Sequence, residues 1–345
     1  MKRVVFHGVL ALLGLGLAWQ ASRPTEESSA APGERLFACA PDHVTRLEWH
    51  PPHESVEIVP ASGEGATGYR VTHTTEPPEG ERVVKHFRGL TAVTELLGQL
   101  APLGATRDLG DVADTQLGEL GLDHEAAQLT LTCGARTQVF AVGKSAYGSG
   151  MRYLRRAEGG HVYLVSADPF RALGMADGRL MQRDLHGFES TEVAKVEVAA
   201  YGQARTLLQR GRQNPRMASW VANDDAEHVN ELFGNWLRDV DRLRAERYLD
   251  EGVEPGAEPR AATPSTPQPI ARLRYVDAEG HELGHMELVL VEGTPEHFFA
   301  RSEATGTWVE VPASVGVSVA RDAATVVGSS AAPTPPAPAT ATPTE

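Results

Sequence analysis

Residues 281–285 read His-Glu-Leu-Gly-His, a complete H-E-x-x-H, and that pattern is the signature of zinc hydrolysis. On a helix four residues rise only about 6 Å, so both imidazoles reach one zinc ion while the Glu between them activates the metal-bound water. On a strand the same two His stand about 13 Å apart, too far for both nitrogens to lie about 2.0–2.1 Å from one metal. The neighbouring sequence favours the strand. "DAEG" before His281 is a turn, Gly284 weakens a helix, and "MELVLVEG" is a β-prone run closed by another turn. Leu288 and Val291 stand where one protease group has Gly and His, leaving only distant carboxylates such as Glu303 to complete a site. The preferred reading therefore assigns no catalytic, cofactor-binding or metal residues. The alternative is a zinc metallohydrolase with His281 and His285 as ligands and Glu282 as base.

Three weaker patterns carry less. "VGKS" (142–145) ends like a phosphate loop, but Gln138 stands where that loop needs Gly. "HPPHE" (50–54) holds two His around two prolines, which fix an extended or turn conformation in a surface loop, with no further Cys or His pair nearby. Cys39 and Cys133 are the only cysteines and sit in no motif, which leaves a single disulfide or two buried thiols. A disulfide across such a loop stabilises by roughly 4–5 kcal/mol in the chain-entropy model.

The elements around these residues come in two sets. "HVTRLEWHPPHESVEIVP" alternates like strands and is followed by a helical "LTAVTELLGQLAPL" and by "GATRDL". "EVAKVEVAAYGQARTLLQR" is likewise followed by "ASWV", a helical "DDAEHVNELFGNWLRDVDRLR" and "AERYL". In the second helix Asn223, Asp224 and Asp225 are candidate caps, and Val229, Leu232, Phe233, Trp236, Leu237, Val240 and Leu243 form the apolar stripe. Four strand-like runs close each set: "AQLTLTC", "TQVFAVG", "MRYLRR", "HVYLVS", then "IARLRYV", "HELGHMELVLV", "HFFAR", "TWVEVP". The pattern predicts an internal duplication at a period near 150 residues. The expected fold class is α+β: two tandem related units, each an antiparallel sheet with an amphipathic helix packed on it.

At 345 residues with a net charge of −14 and no basic run, the chain has the composition of a folding protein and not of a nucleic-acid binder. Lys2 and Arg3 precede an apolar run from Val4 to Trp19, which reads as a signal anchor, with a cleaved signal peptide as the alternative. The expected organisation is an anchor over 1–21, a linker over 22–41, units over 42–180 and 181–328, and a disordered tail over 329–345. A Pro-rich inserted loop falls at 252–269 within the second unit.

Several phrases carry a family resemblance. "LGELGLDHEAAQLTL" (117–131), "FAVGKSAYGSGMRYLRR" (140–156), "GHVYLVS" (160–166), "LMQRDLHGFESTEVAKVEV" (180–198) and "ASWVANDDAEHVNELFGNWL" (218–237) resemble the DUF4340 family of bacterial membrane-anchored proteins. The order is that family's, although "DHEAA" replaces a common Pro after the Gly-Leu phrase. The resemblance implies a single N-terminal anchor in the bacterial inner membrane and a domain on the periplasmic side. It also implies a non-enzymatic accessory or scaffold role beside an ABC transporter of the gliding-motility type, with no cofactor. The family supplies no catalytic residues to transfer.

Overall fold

A computed structural model describes residues 34–62, 67–214, 218–257, 266–293 and 295–328. The 1–21 anchor, most of the 22–41 linker, the middle of the Pro-rich loop and the 329–345 tail lie outside the described residues.

In chain order the first unit holds β1 (Arg35–Phe37), β2 (Val44–His50), β3 (Glu54–Pro60), β4 (Tyr69–Thr75) and β5 (Val83–Gly89), then helix α1 (Thr91–Leu100). There follow β6 (Leu103–Gly104), β7 (Arg107–Gly110), α2 (Asp114–Leu120), β8 (Ala127–Cys133), β9 (Arg136–Ser145), β10 (Met151–Arg156), β11 (Val162–Ser166), α3 (Asp168–Leu173) and α4 (Ala176–Arg179). The second unit holds β12 (Lys195–Ala200), β13 (Gln203–Arg210), β14 (Ser219–Ala222), β15 (Asp225–Val229), α5 (Glu231–Asp241) and β16 (Arg247–Tyr248). It closes with β17 (Gln268–Val276), β18 (Glu282–Val291), β19 (His297–Ser302), β20 (Val309–Val311) and α6 (Ala313–Val326).

Two nine-stranded sheets result, ordered β5-β4-β3-β2-β8-β9-β10-β11-β7 and β15-β14-β13-β12-β17-β18-β19-β20-β16. Read position by position, the two orders are the same: β2 corresponds to β12, β8 to β17, and the phrases "GATRDL" and "AERYL" supply β7 and β16 at equivalent edges. Every neighbouring pair is antiparallel, as short Gly-containing connections between alternating runs require. Alternation sets the faces: on β2, Leu47 and Trp49 turn inward while Arg46 and His50 stay exposed, and a register irregularity between Val44 and Arg46 brings Val44 inward too. Buried side chains of both units join in one continuous apolar cluster, so the sheets share a core.

Several expectations need correction. Residues 35–37, assigned to the linker, form β1 against β6, because Leu36 and Phe37 are apolar enough to bury and Cys39 is cross-linked to Cys133. The second helix does not begin at residues 223–225. Residues 225–229 pair with β14 as β15, and the helix starts at Glu231 with Asn230 as its cap, its side chain accepting from the Leu232 N–H at 3.0 Å. Val229 therefore leaves the helical stripe and lies on an edge strand, 57% exposed. At the Pro-rich segment, β17 already begins at Gln268, and Val253 packs on a small cluster of Leu249, Val289, Val291, Phe299 and Trp308.

Candidate functional site

The H-E-x-x-H residues are extended, not helical. His281 closes the turn before β18, its backbone N–H donating to Asp277 Oδ1 at 2.8 Å and its Nδ1 lying 3.1 Å from Asp277 Oδ2. Glu282 turns to Arg274, with 2.6 Å between Oε2 and Nε, and His285 pairs in register with Arg274 on β17. The one-turn spacing that would bring both imidazoles to a metal is therefore not formed, and among the described residues no group of three or more metal-ligating side chains converges.

The motif's glycine has a different use. A Cβ at Gly284 would fall on the Glu303 carboxylate, so only glycine lets that carboxylate lie against β18. There Glu303 Oε2 accepts the His285 N–H at 3.0 Å, and Oε1 lies 3.1 Å from His186 Nδ1. The His186 ring meets Tyr275 edge-on at 4.5 Å and Phe188 at 4.8 Å between centroids. Burial, with Asp241 and Glu303 nearby, pushes the Tyr275 phenol well above its ordinary range. His186 Nε2 and the Tyr275 hydroxyl have no hydrogen-bond partner among the described residues.

His186 and Phe188 belong to the phrase "QRDLHGF" (182–188), which is the connector between the units. Arg183 exchanges backbone contact with Ala245, whose N–H donates to the Arg183 carbonyl at 2.8 Å. Asp184 forms an ion pair with Arg244 at 2.9 Å, and the Tyr248 hydroxyl donates to the Gln182 carbonyl at 2.8 Å. Gln182 N–H in turn donates to the Arg88 carbonyl at 2.7 Å, so the connector is bonded to β5 on one side and β16 on the other.

A cleft of about 400 Å³ opens beside this connector, between the β4–β5 edge of one sheet and β16 with the 302–307 turn of the other. Arg70, His86 and Arg88 line one wall, and Asp250 and Glu251 line the opposite one. Phe87 and Tyr248 form its apolar part, their ring centroids 6.5 Å apart. Burial raises the Tyr248 phenol far above its usual value against the opposing pull of Arg88 and Arg183, so it is a neutral donor at any physiological pH. The turn is held by its own hydroxyls: Ser302 N–H donates to Thr305 Oγ1 at 3.0 Å, and Thr305 Oγ1 donates to the Thr307 carbonyl at 3.0 Å. Gly306, at φ +67°, lies against the Arg88 guanidinium where any side chain would collide.

The remaining patterns are structural. "VGKS" ends β9, and Lys144 Nζ donates to the Gly118 and Glu119 carbonyls at 3.3 and 3.4 Å, closing the C-terminal end of α2. "HPPHE" is the β2–β3 turn, with His53 at φ 65°.

Sequence reading found none of the cleft residues. Arg70 and Arg88 lie at outward positions of two strands it did not assign, and only their register, fixed by the hairpin between them, makes them neighbours.

Fold and site thus define a tandemly duplicated antiparallel-sheet protein with a cleft of ligand size at the junction of its halves. A family model described as "Domain of unknown function (DUF4340)" matches residues 88–267, more than half the chain, and the chain belongs to that family. The match runs from the end of β5 through the connector to the residue before β17. No curated protein and no solved structure matches the chain.

Proposed function

We propose that this chain is a non-enzymatic envelope protein, anchored in the bacterial inner membrane by its N-terminal segment. Its two related α+β units, each a sheet with an amphipathic helix against it, present a binding surface on the periplasmic side. The role is that of an accessory or scaffold subunit of an ABC transporter complex of the gliding type. The partner is the one the sequence resemblance implies, and the Lys2–Arg3 and apolar-run pattern supports the orientation. The observation that carries the extracytoplasmic reading is the Cys39–Cys133 disulfide, since such bonds persist in oxidising compartments.

The test is co-purification of the full chain from membranes solubilised in several mild detergents. Recovery of transporter subunits at fixed stoichiometry is expected. Recovery of the isolated chain in every detergent would end the transporter assignment.

A further inference from the structure

Arg70 on β4 and Arg88 on β5 are direct cross-strand partners, and both line the cleft between the units. Like charges in opposed positions destabilise a strand pair, so the arrangement costs stability unless something negative answers it. The sheet does not answer it. The residue opposite Arg70 on its other side is Val59, and the nearest acid on β3, Glu57, is taken by Arg46 at 2.8 Å. Arg88 spends one donor on the Thr67 carbonyl at 2.8 Å, which fixes its direction without neutralising it. Arg70 has no hydrogen-bond or ion-pair partner among the described residues, and His86, two pairs further along and so on the same face, lines the same wall.

The opposite wall carries the complementary charge. Asp250 and Glu251 make no ion pair among the described residues, although the loop bearing them is held firmly. Leu249 N–H donates to the Trp308 carbonyl at 2.9 Å, and Trp308 Nε1 donates to Glu254 at 3.0 Å. Two fixed walls of opposite sign that do not close on each other form a dipolar slot. In a chain of net charge −14 the paired guanidiniums are a local exception that selects for an anion.

We propose that this cleft binds a small zwitterion, with a phosphoryl group held by Arg70 and Arg88 and an ammonium group held by Asp250 and Glu251. Two guanidinium forks with an imidazole beside them match the several oxygens of a phosphoryl group better than the two of a carboxylate. Phe87 and Tyr248 line the cleft between the two charged walls. The site stands independently of the transporter reading, because it needs no partner protein.

Titration calorimetry on the purified full chain with O-phosphoethanolamine, inorganic phosphate, ethanolamine and β-alanine tests the assignment. O-phosphoethanolamine is expected to bind one per chain, at least tenfold tighter than phosphate or ethanolamine alone and tighter than β-alanine. Arg70→Ala, an exposed position whose loss leaves the fold intact, weakens it tenfold or more. Asp250→Asn with Glu251→Gln abolishes the preference over phosphate. Glycerophosphoethanolamine binding at least as tightly as the monoester identifies a lipid headgroup as the source, and weaker binding identifies a free monoester. No saturable binding to the wild-type chain, unchanged binding in Arg70→Ala, or preference for β-alanine would each overturn the proposal.

Discussion

Glu303 shows how one carboxylate depends on one missing methyl. It can accept the His285 N–H and meet His186 only because Gly284 leaves room. Gly284→Ala is therefore expected to cost about 1 kcal/mol in urea denaturation, the net worth of the hydrogen bonds that the displaced, partly exposed carboxylate gives up. In a Glu303→Ala background the same substitution should cost well under 1 kcal/mol, because the group it displaces is gone. Equal costs in the two backgrounds would show that Gly284 serves another purpose. His161 offers a test by pH. A hydrogen bond to Asp108 and that residue's charge raise the His161 pKa, and the same bond lowers that of Asp108. The His161 contribution is full below the unfolded value of about 6.5 and fades as pH rises through the higher folded value. That of Asp108 is present above its unfolded value and fades as pH falls through the lower folded one. An NMR titration should place the His161 midpoint above about 6.5, and Asp108→Asn should bring it down.

Among elements, α5 is the clearest case of a boundary set by pairing instead of propensity. "NDDAEHVN" offers caps at several positions, and periodicity alone runs the helix back through them. The β14–β15 hairpin claims 225–229 first, because pairing of Val221 with Val229 completes the sheet edge. Asn230→Ala should then cost about 1 kcal/mol and Asn230→Gly only a few tenths, by thermal or chemical denaturation. Substitutions at Asn223 to Asp225 should leave helix content unchanged. Helix α6 was not legible at all. "ASVGVSVARDAATV" is rich in β-branched residues, and tertiary contacts decide it. Gly316 lets the helix lie on the Phe298 ring, and the Val319 carbonyl accepts Trp236 Nε1 from α5 at 2.9 Å. The strands after each helix were legible because alternating runs between Gly turns carry both their type and their ends.

For the whole molecule, the duplication was legible because two sets of elements in one order leave a trace at every position. The cleft was not, because it belongs to neither copy. Arg88 comes from one unit, Asp250 and Gly306 from the other, and their meeting depends on how "QRDLHGF" seats β5 against β16 through Gln182. The cross-link is a property at this scale too, closing a sequence separation of 94 residues. Replacing Cys39 and Cys133 together by Ser should lower stability by up to roughly 4–5 kcal/mol. Denaturation of the wild-type chain with and without reductant should reproduce the difference. A difference under about 1 kcal/mol would mean that the reduced chain already holds that loop closed.

The same cross-link sets a path for force. In a chain tethered through its N-terminal segment, as proposed above, tension arrives from the N-terminal side and passes along β1 to Cys39. There the covalent bond hands it to Cys133 at the end of β8, which lies between β2 and β9 in the interior of the first sheet. A pull delivered to an edge strand unzips its ladder one bond at a time, whereas one delivered to an inner strand loads ladders on both sides together. The small β1–β6 pair precedes the cross-link and takes the load first, whereas the residues between Cys39 and Cys133 lie inside the covalent loop and are shielded from it.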